Sequence, residues 1–455
     1  MIAYSDFKKY FNNDFWKSFK RLPFDIKIPE KERFIKLVYD SIVTKRYYPS
    51  TPIRYIDIDK GNGVARTVPV FDLKDYCVYY FCIKILESKI AINRVQNTFG
   101  GWTLGGVMRQ TEDEEVSISS PVIEDVDDMI EASTNPYSFN PYAWSKVYGD
   151  FNSKLYATAK TFNGSYVAEL DIANFYDSVR LDILENKIRE ITTNNESEVV
   201  SLLFHFLNYW NREINFYNGQ TVGLPQDALG DFSRILANFY LQDYDLYMKA
   251  KAEEVGGSYF RYADDQFLFA PDEDGVKKLV FFASKKLNCF GLSINQKKVV
   301  YRKTEELITY RSFDVFEILA NEETRDNPDI IESFADEYLK IRSSGLDSLK
   351  GKGLPLVNKL LFRKIELLPV SKKMVILSDL LDDNYISIIK ADKFERIYSL
   401  LYSKDRKKFI NQLLKLSQKN YHNSFHYELI KFLKSKKIDS STVKERVAVL
   451  QKLYK

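Results

Sequence analysis

Asp264 and Asp265 stand side by side in the run Phe260-Arg261-Tyr262-Ala263-Asp264-Asp265-Gln266-Phe267-Leu268-Phe269, with apolar and aromatic residues on both flanks. β-Favouring types dominate this run, so it predicts two short strands joined at the acidic pair, which then occupies a tight hairpin tip. Adjacent carboxylates repel and gain nothing from burial, so a pair held between hydrophobic strands calls for positive charge. A divalent metal would supply it, and the bland alternative is a solvated acidic turn. A third carboxylate decides between the two. Asp171 ends the apolar stretch Ser165 to Ile172, where a side chain can leave a sheet edge and reach a site. Three aspartates from two strands can hold two divalent ions about 4 Å apart, one activating an attacking hydroxyl and the other stabilising the leaving oxygen of an in-line displacement at phosphorus. Such chemistry rests on positioning and charge neutralisation and needs neither His nor Cys.

Composition narrows the choice of ion. Three cysteines (Cys77, Cys82, Cys289) and three histidines (His205, His422, His426) cannot build a disulfide framework or a four-ligand zinc site at these spacings. A metal here is therefore held by oxygen, which points to Mg2+ or Mn2+. His422 and His426, four apart, read as surface residues rather than ligands. The 455 residues suffice for two or three domains, and 45% hydrophobic with 28% charged residues is ordinary for a soluble globular protein. Asp6, Lys8 and Lys9 interrupt any apolar run after Met1, and no window approaches about 18 uncharged apolar residues, so a cytoplasmic protein with neither signal peptide nor membrane span is expected. The 31 Tyr and 32 Phe offer rings for base stacking or for a core.

The net charge of +3 conceals an asymmetry: residues 340 to 455 hold 26 Lys/Arg against 11 Asp/Glu, or +15, leaving −12 for the rest. A basic C-terminal quarter can neutralise phosphates, or can be a solvated lysine-rich surface.

The elements that must position the aspartates follow from periodicity. Phe7, Tyr10, Phe11, Phe15 and Phe19 predict an aromatic helix face; helices are expected over Glu30 to Thr44, Asp72 to Ile92, Asn140 to Thr158 and Gly275 to Phe290. Arg66-Thr67-Val68-Pro69-Val70 is a short extended element whose arginine could grip phosphate in one plane. Residues 100 to 140, with paired glycines and two acidic clusters, read as an irregular insertion, and Asn218-Gly219 as a hairpin turn. Thr221 to Gln226 and then Gly230 to Leu241 read as a glycine-rich loop opening a long helix, a device that brings backbone close to a ligand. From Glu332 onward the pattern is helical, a small bundle or short solenoid.

Taken together, these motifs resemble the reverse transcriptases. Tyr262-Ala263-Asp264-Asp265 looks like their signature, and the Asp171 strand with Phe175-Tyr176 looks like their other metal-binding palm motif. Arg66 to Pro69, Gly223-Leu224-Pro225-Gln226 to Leu241, and Gly291 to Lys298 resemble further motifs, in the same order, over roughly residues 30 to 310. The resemblance implies an α+β fold: right-hand polymerase-like fingers and palm, an antiparallel sheet with helices, within residues 1–320, followed by an all-α, basic, thumb-like or helical-repeat domain over 330–455. It implies an RNA-directed DNA polymerase in which Asp171, Asp264 and Asp265, with the Ile172 carbonyl, ligate two Mg2+ or Mn2+ ions. Tyr176 falls on the position that excludes a ribose 2′-hydroxyl, Gln226 would line the nucleotide pocket, Arg66 would hold phosphate, and Lys298, with Lys297 its neighbouring competitor, would contact the triphosphate. Asp227 departs from the glycine of many relatives, with Gly230 a candidate for that role.

Neither the Val-Thr-Gly triplet nor the Asn-Ala-x-x-His motif of retron enzymes occurs, and the residues for a Cys/His endonuclease domain are lacking. The helical C-terminal quarter resembles instead the bacterial defence enzymes of the abortive-infection and unknown-group type. That resemblance implies dNTPs and nucleic acid as partners, RNA and/or DNA with a non-coding RNA among the candidates, no membrane, homo-oligomers in several members, and synthesis that is untemplated or primed from a protein hydroxyl in some. Tyr47, Tyr48 and Tyr454 are the candidate priming residues. A group II intron-like maturase and a catalytically idle nucleic-acid-binding scaffold are the alternatives.

Overall fold

The computed structural model describes residues 3–60, 64–104, 108–109, 129–131, 137, 139–140, 144–211, 223–311, 313, 318, 323–324, 326–343, 364–379 and 393–453. The insertion over 100–140 lies mostly outside these residues, and Asn218-Gly219 and Tyr454 lie wholly outside them. Two units emerge: Met1–Tyr55 with Val68–Glu305, and Ile56–Thr67 with Glu306–Lys455.

The first unit mixes helices with a five-stranded sheet ordered Thr98–Phe99, Ser258–Tyr262, Asp265–Ala270, Tyr166–Asp171, Val300–Lys303. Thr98–Phe99 runs parallel to its neighbour and the remaining pairs are antiparallel. The run around Asp264 is a hairpin with only Ala263 and Asp264 between its strands. Gln266 to Ala270 are buried on both faces, which suits a strand with neighbours on each side and a helix, Glu273–Cys289, packed against it.

Helix Leu73–Ala91 starts where the sequence places it because the Asp72 side chain accepts the Lys74 amide at 2.9 Å. It is buried on nearly every face, and its one internal charge pair, Lys84 with Glu87, leaves Glu87 Oε2 to accept the Leu104 amide at 2.8 Å. The aromatic repeat from Phe7 to Phe19 does not make one helix. Asn12 accepts the amides of Asp14 and Phe15 and starts a new helix, Asn13–Ser18, after Tyr4–Phe7 and a 3-10 turn. The rings fill core: Phe7 lies 4.8 Å from Phe81, Phe15 4.7 Å from Tyr80 and Phe19 5.4 Å from Tyr76.

In the second unit, every regular element described beyond Arg311 is helical, around a core that includes Tyr338, Phe394, Phe409, Leu429 and Phe432. The tip of the hairpin formed by Arg54–Asp59 and Ala65–Val70 groups with these helices. Asn423 accepts the Asp57 amide at 2.8 Å and donates to Asp57 Oδ2 at 3.1 Å. The expectation of two surface histidines fails: His426 is fully buried, its ring nitrogens 2.9 and 2.7 Å from the carbonyls of His422 and Ser417, and the His422 side chain is only 11% exposed. No helix among the described residues is long and apolar enough to cross a membrane.

Candidate active site

The sheet brings the aspartates together by register. Asp171 and Asp265 are direct cross-strand partners in the antiparallel ladder, and the Ile172 amide donates to the Asp264 carbonyl at 3.3 Å. Directly opposite side chains on such a ladder lie about 4.5–5.5 Å apart at Cβ, so the two-residue loop places both Asp264 and Asp265 beside Asp171. The loop is held in an uncommon conformation: Ala263 has φ 53, a region that costs an L-residue about 1–2 kcal/mol. Its amide donates to the Phe99 carbonyl at 3.3 Å, and Gly100 packs so closely that a Cβ there would come 2.8 Å from Ala263 N.

Each aspartate has a different environment. Asp171 is 7% exposed, Asp264 is half-buried and Asp265 is exposed. Lys298 Nζ donates to Asp171 Oδ1 at 2.6 Å, and Asn295 donates to Asp171 twice, from Nδ2 to Oδ2 at 3.2 Å and from its amide to the backbone carbonyl at 2.7 Å. The hydrogen bond to Asp171 raises the Lys298 ammonium above its ordinary 10.5. Lys298, rather than Lys297, is thus the lysine that reaches the aspartates. Among the described residues no three His, Cys, Asp or Glu side chains form a ready-made metal cage. The donor set still fits a hard divalent ion, because it consists of oxygens and already draws a cation, Lys298, onto Asp171.

Tyr176 follows from the short helix Phe175–Ser178, which starts after Asn174 turns left-handed at φ 46. Its ring is half-buried, and desolvation pushes its hydroxyl up to about 12 against the opposing pull of Arg234. Its carbonyl accepts the Leu224 amide at 2.8 Å, which ties the Gly223–Gln226 loop to the Asp171 segment. Gln226 is half-buried in that loop. Asp227 is a buried turn-former: Oδ2 accepts the amides of Leu229 and Gly230 at 3.0 and 3.2 Å, and Gly230 takes φ 70 to open helix Asp231–Tyr240. Arg66 is exposed, in the segment Ile56–Thr67 that groups with the second unit. Of the candidate priming residues, Tyr47 is 7% exposed and its hydroxyl donates to Asp75 at 2.9 Å, so it is not in a loose segment, whereas Tyr48 is 54% exposed.

Three functional candidates escaped the sequence reading. Asn295 orients Asp171. Gly100 shapes the acidic loop. Arg234 lines a pocket with Gly100, Gly101, Thr103, Asn140 and Tyr262. Its half-buried guanidinium makes no hydrogen bond or ion pair among the described residues, while the neighbouring Asp231 is taken by Arg21. An arginine among the apolar residues Phe232, Ile235, Leu236 and Phe239 was the available signal for it.

Residues 123–314 match the family described as Reverse transcriptase (RNA-dependent DNA polymerase), a span that contains Asp171, Tyr176, Gln226, Asp264, Asp265 and Lys298. No curated protein matches the chain. Among solved structures, telomerase from Candida albicans in complex with a TWJ fragment of telomeric RNA is similar at 12% identity and a TM-score of 0.35, over 87% of this chain and 70% of that one. The family match, over a segment whose strands bring the acidic motifs side by side, identifies in this chain a reverse transcriptase domain, that of an RNA-directed DNA polymerase and hence a nucleotidyltransferase.

Proposed function

We propose that the chain adds deoxynucleotides to a 3′ or protein hydroxyl at the site built by Asp171, Asp264 and Asp265, with the Ile172 carbonyl assisting, and that it does so in bacterial anti-phage defence. The observation that carries the chemistry is the pairing of Asp171 with Asp265 across the ladder, one residue from Asp264 in the loop. Two bound Mg2+ or Mn2+ ions would supply a more acidic attacking hydroxyl and a neutralised leaving group. The chain's own residues do the rest. Asp171 is held in one orientation by Asn295, so its carboxylate is directed before substrate arrives. Lys298, exposed and already drawn to the site, offers its ammonium to the triphosphate. Tyr176 packs at a tilt against Phe175, ring centroids 5.3 Å apart, and presents a neutral ring to the sugar, favouring deoxyribose. Gln226 lines the nucleotide pocket, Arg66 offers a planar phosphate grip, and Arg234 offers its guanidinium to nucleic-acid phosphate. The basic helices beyond residue 340 support binding of nucleic acid through its backbone.

The test uses the purified full chain with Mg2+ and each labelled dNTP. Polymer is expected from the parent and none from Asp264→Asn with Asp265→Asn; a double variant that polymerises like the parent removes the site assignment. Protection from phage that survives the same substitutions would favour a nucleic-acid-binding scaffold acting through the basic helices.

A further inference from the structure

Arg261 is the fourth of the five residues of the strand Ser258–Tyr262 and is 0% exposed. Its Nε and one terminal nitrogen donate to the two oxygens of Asp245 at 2.8 and 2.6 Å, and Asp245 is also 0% exposed. The other terminal nitrogen donates to Asn238 Oδ1 at 2.7 Å and to the Ala263 carbonyl at 2.8 Å. Asp245 accepts a further bond from the Tyr259 hydroxyl at 2.7 Å, and Asn238 Nδ2 donates to the Gly101 carbonyl at 2.6 Å.

A buried ion pair adds little to stability that a well-packed apolar pair would not, because desolvation offsets the attraction. An apolar residue at position 261, however, could not reach the carbonyl of Ala263. That residue is the one held left-handed, and Asp264 and Asp265 follow it directly. The fork of the guanidinium joins the helix carrying Asp245, the helix carrying Asn238 and the acidic loop in one network.

We propose that Arg261, backed by Asp245 and Asn238, is a positioning residue that fixes Ala263 in its left-handed conformation and thereby sets the metal affinity of the acidic loop. The proposal rests on the reading of Asp264 and Asp265 as metal ligands. Arg261→Lys keeps the charge but loses the planar fork, and Asp245→Asn keeps the shape but loses the counter-charge. Mn2+ binding to each full-length variant is followed by electron paramagnetic resonance without nucleotide, with the Asp264→Asn, Asp265→Asn protein marking site-specific binding. Amide exchange at residues 263–265 is followed in parallel.

Both variants are expected to weaken site-specific Mn2+ binding about 10- to 100-fold, as loss of outer contacts around metal ligands does, and to speed exchange of the Ala263 amide. Tyr259→Phe, which touches Asp245 but not the loop, should change neither. An Arg261→Lys protein that melts earlier yet keeps parental Mn2+ affinity and exchange overturns the proposal, since its role would then be strand packing alone. If the parent binds no Mn2+ beyond the double aspartate variant, the metal reading fails, and exchange decides: an unchanged Ala263 amide overturns the clamp. Should Arg261→Lys not fold, Asn238→Ala removes one of the two acceptors of the same nitrogen and carries the same two readouts.

Discussion

Gly223 offers the sharpest separation of stability from chemistry. A Cβ placed on it would come 2.0 Å from the Tyr176 carbonyl oxygen and 2.7 and 2.8 Å from the carbonyl carbon and oxygen of Asp177. All three are backbone atoms, so no side chain can swing aside. To reach ordinary contact at 3.4 Å, the two segments must part by more than 1 Å, which breaks the 2.8 Å bond from the Leu224 amide to the Tyr176 carbonyl. Overpacking of this kind costs about 1–3 kcal/mol and the lost hydrogen bond about 1 more, so Gly223→Ala should destabilise by about 2–4 kcal/mol. Because Tyr176 and Asp171 share that segment, a displacement near 1 Å should also slow incorporation about 100-fold. Gly257 is the internal control: its Cβ would come 1.9 Å from the Phe269 carbonyl oxygen, a backbone clash of similar closeness beside the sheet. It sits at the end of the hairpin away from the acidic loop, with the five residues Ser258–Tyr262 between them, about 17 Å of strand. Urea unfolding and single-turnover incorporation at saturating dNTP should show similar stability losses for Gly223→Ala and Gly257→Ala, with the large rate loss confined to Gly223→Ala. Equal rate losses, or a parental rate in Gly223→Ala, would refute the reasoning.

Lys298→Met should raise the KM for dNTP with a smaller effect on kcat, while Lys297→Met stays near the parent, since only Lys298 reaches Asp171; steady-state kinetics of both variants checks this. Arg234→Gln should lower the slope of log Kd against log salt for an oligonucleotide by about 1, the signature of one lost phosphate contact, without changing the fold by circular dichroism. Burial raises the Asp227 carboxyl from 3.8 to about 6, so the folded chain holds that proton more tightly than the unfolded chain. Stability therefore falls as pH rises from about 4 to about 6, with a full cost of about 3 kcal/mol above that. Asp227→Asn keeps an acceptor for the Leu229 and Gly230 amides, so urea unfolding should show it more stable than the parent at pH 8 and no better at pH 4; a gain independent of pH would assign it to something other than the buried charge.

Local pattern made much of this molecule legible. The acidic hairpin, the Asp171 strand and the helix capped by Asp72 each carry their own signal: β-favouring flanks, an apolar run ending in a carboxylate, and a capping residue before a 3.6-residue period. The misreadings share a cause, which is that specific side-chain contacts, some local and some between distant segments, override the hydrophobic pattern. Asn12 breaks an aromatic run that periodicity alone would continue. His426 looks polar and exposed, yet two carbonyls satisfy its ring inside a helical core. The grouping of Ile56–Thr67 with the C-terminal helices depends on Asn423, 366 positions after Asp57, a pairing that no local window contains. In the site, Asp264 and Asp265 were visible as a pair, but what holds them was not: Gly100 and Arg261 act through contacts with Ala263 that only the folded sheet creates.

The three carboxylates are unequally prepared for a cation, and this bears on how the site fills. Asp171 is nine-tenths buried at its side chain and is held from two directions, whereas its partner Lys298 is 60% exposed on a flexible stem. An ion pair with one such exposed member contributes at most about 1 kcal/mol, with side-chain entropy on Lys298 favouring release. The Asn295 contacts, made from a backbone amide and a short side chain, have no such freedom. Arrival of a hard divalent ion should therefore displace Lys298 and leave Asn295 in place, freeing the ammonium at the point where a triphosphate would enter. Lys298 would then serve the proposed site twice, compensating Asp171 before an ion arrives and the phosphates after it. Asn295→Ala should weaken Mn2+ binding while Lys298→Met leaves it unchanged or tighter, and the opposite order, read by the same resonance titration, would reverse the two assignments.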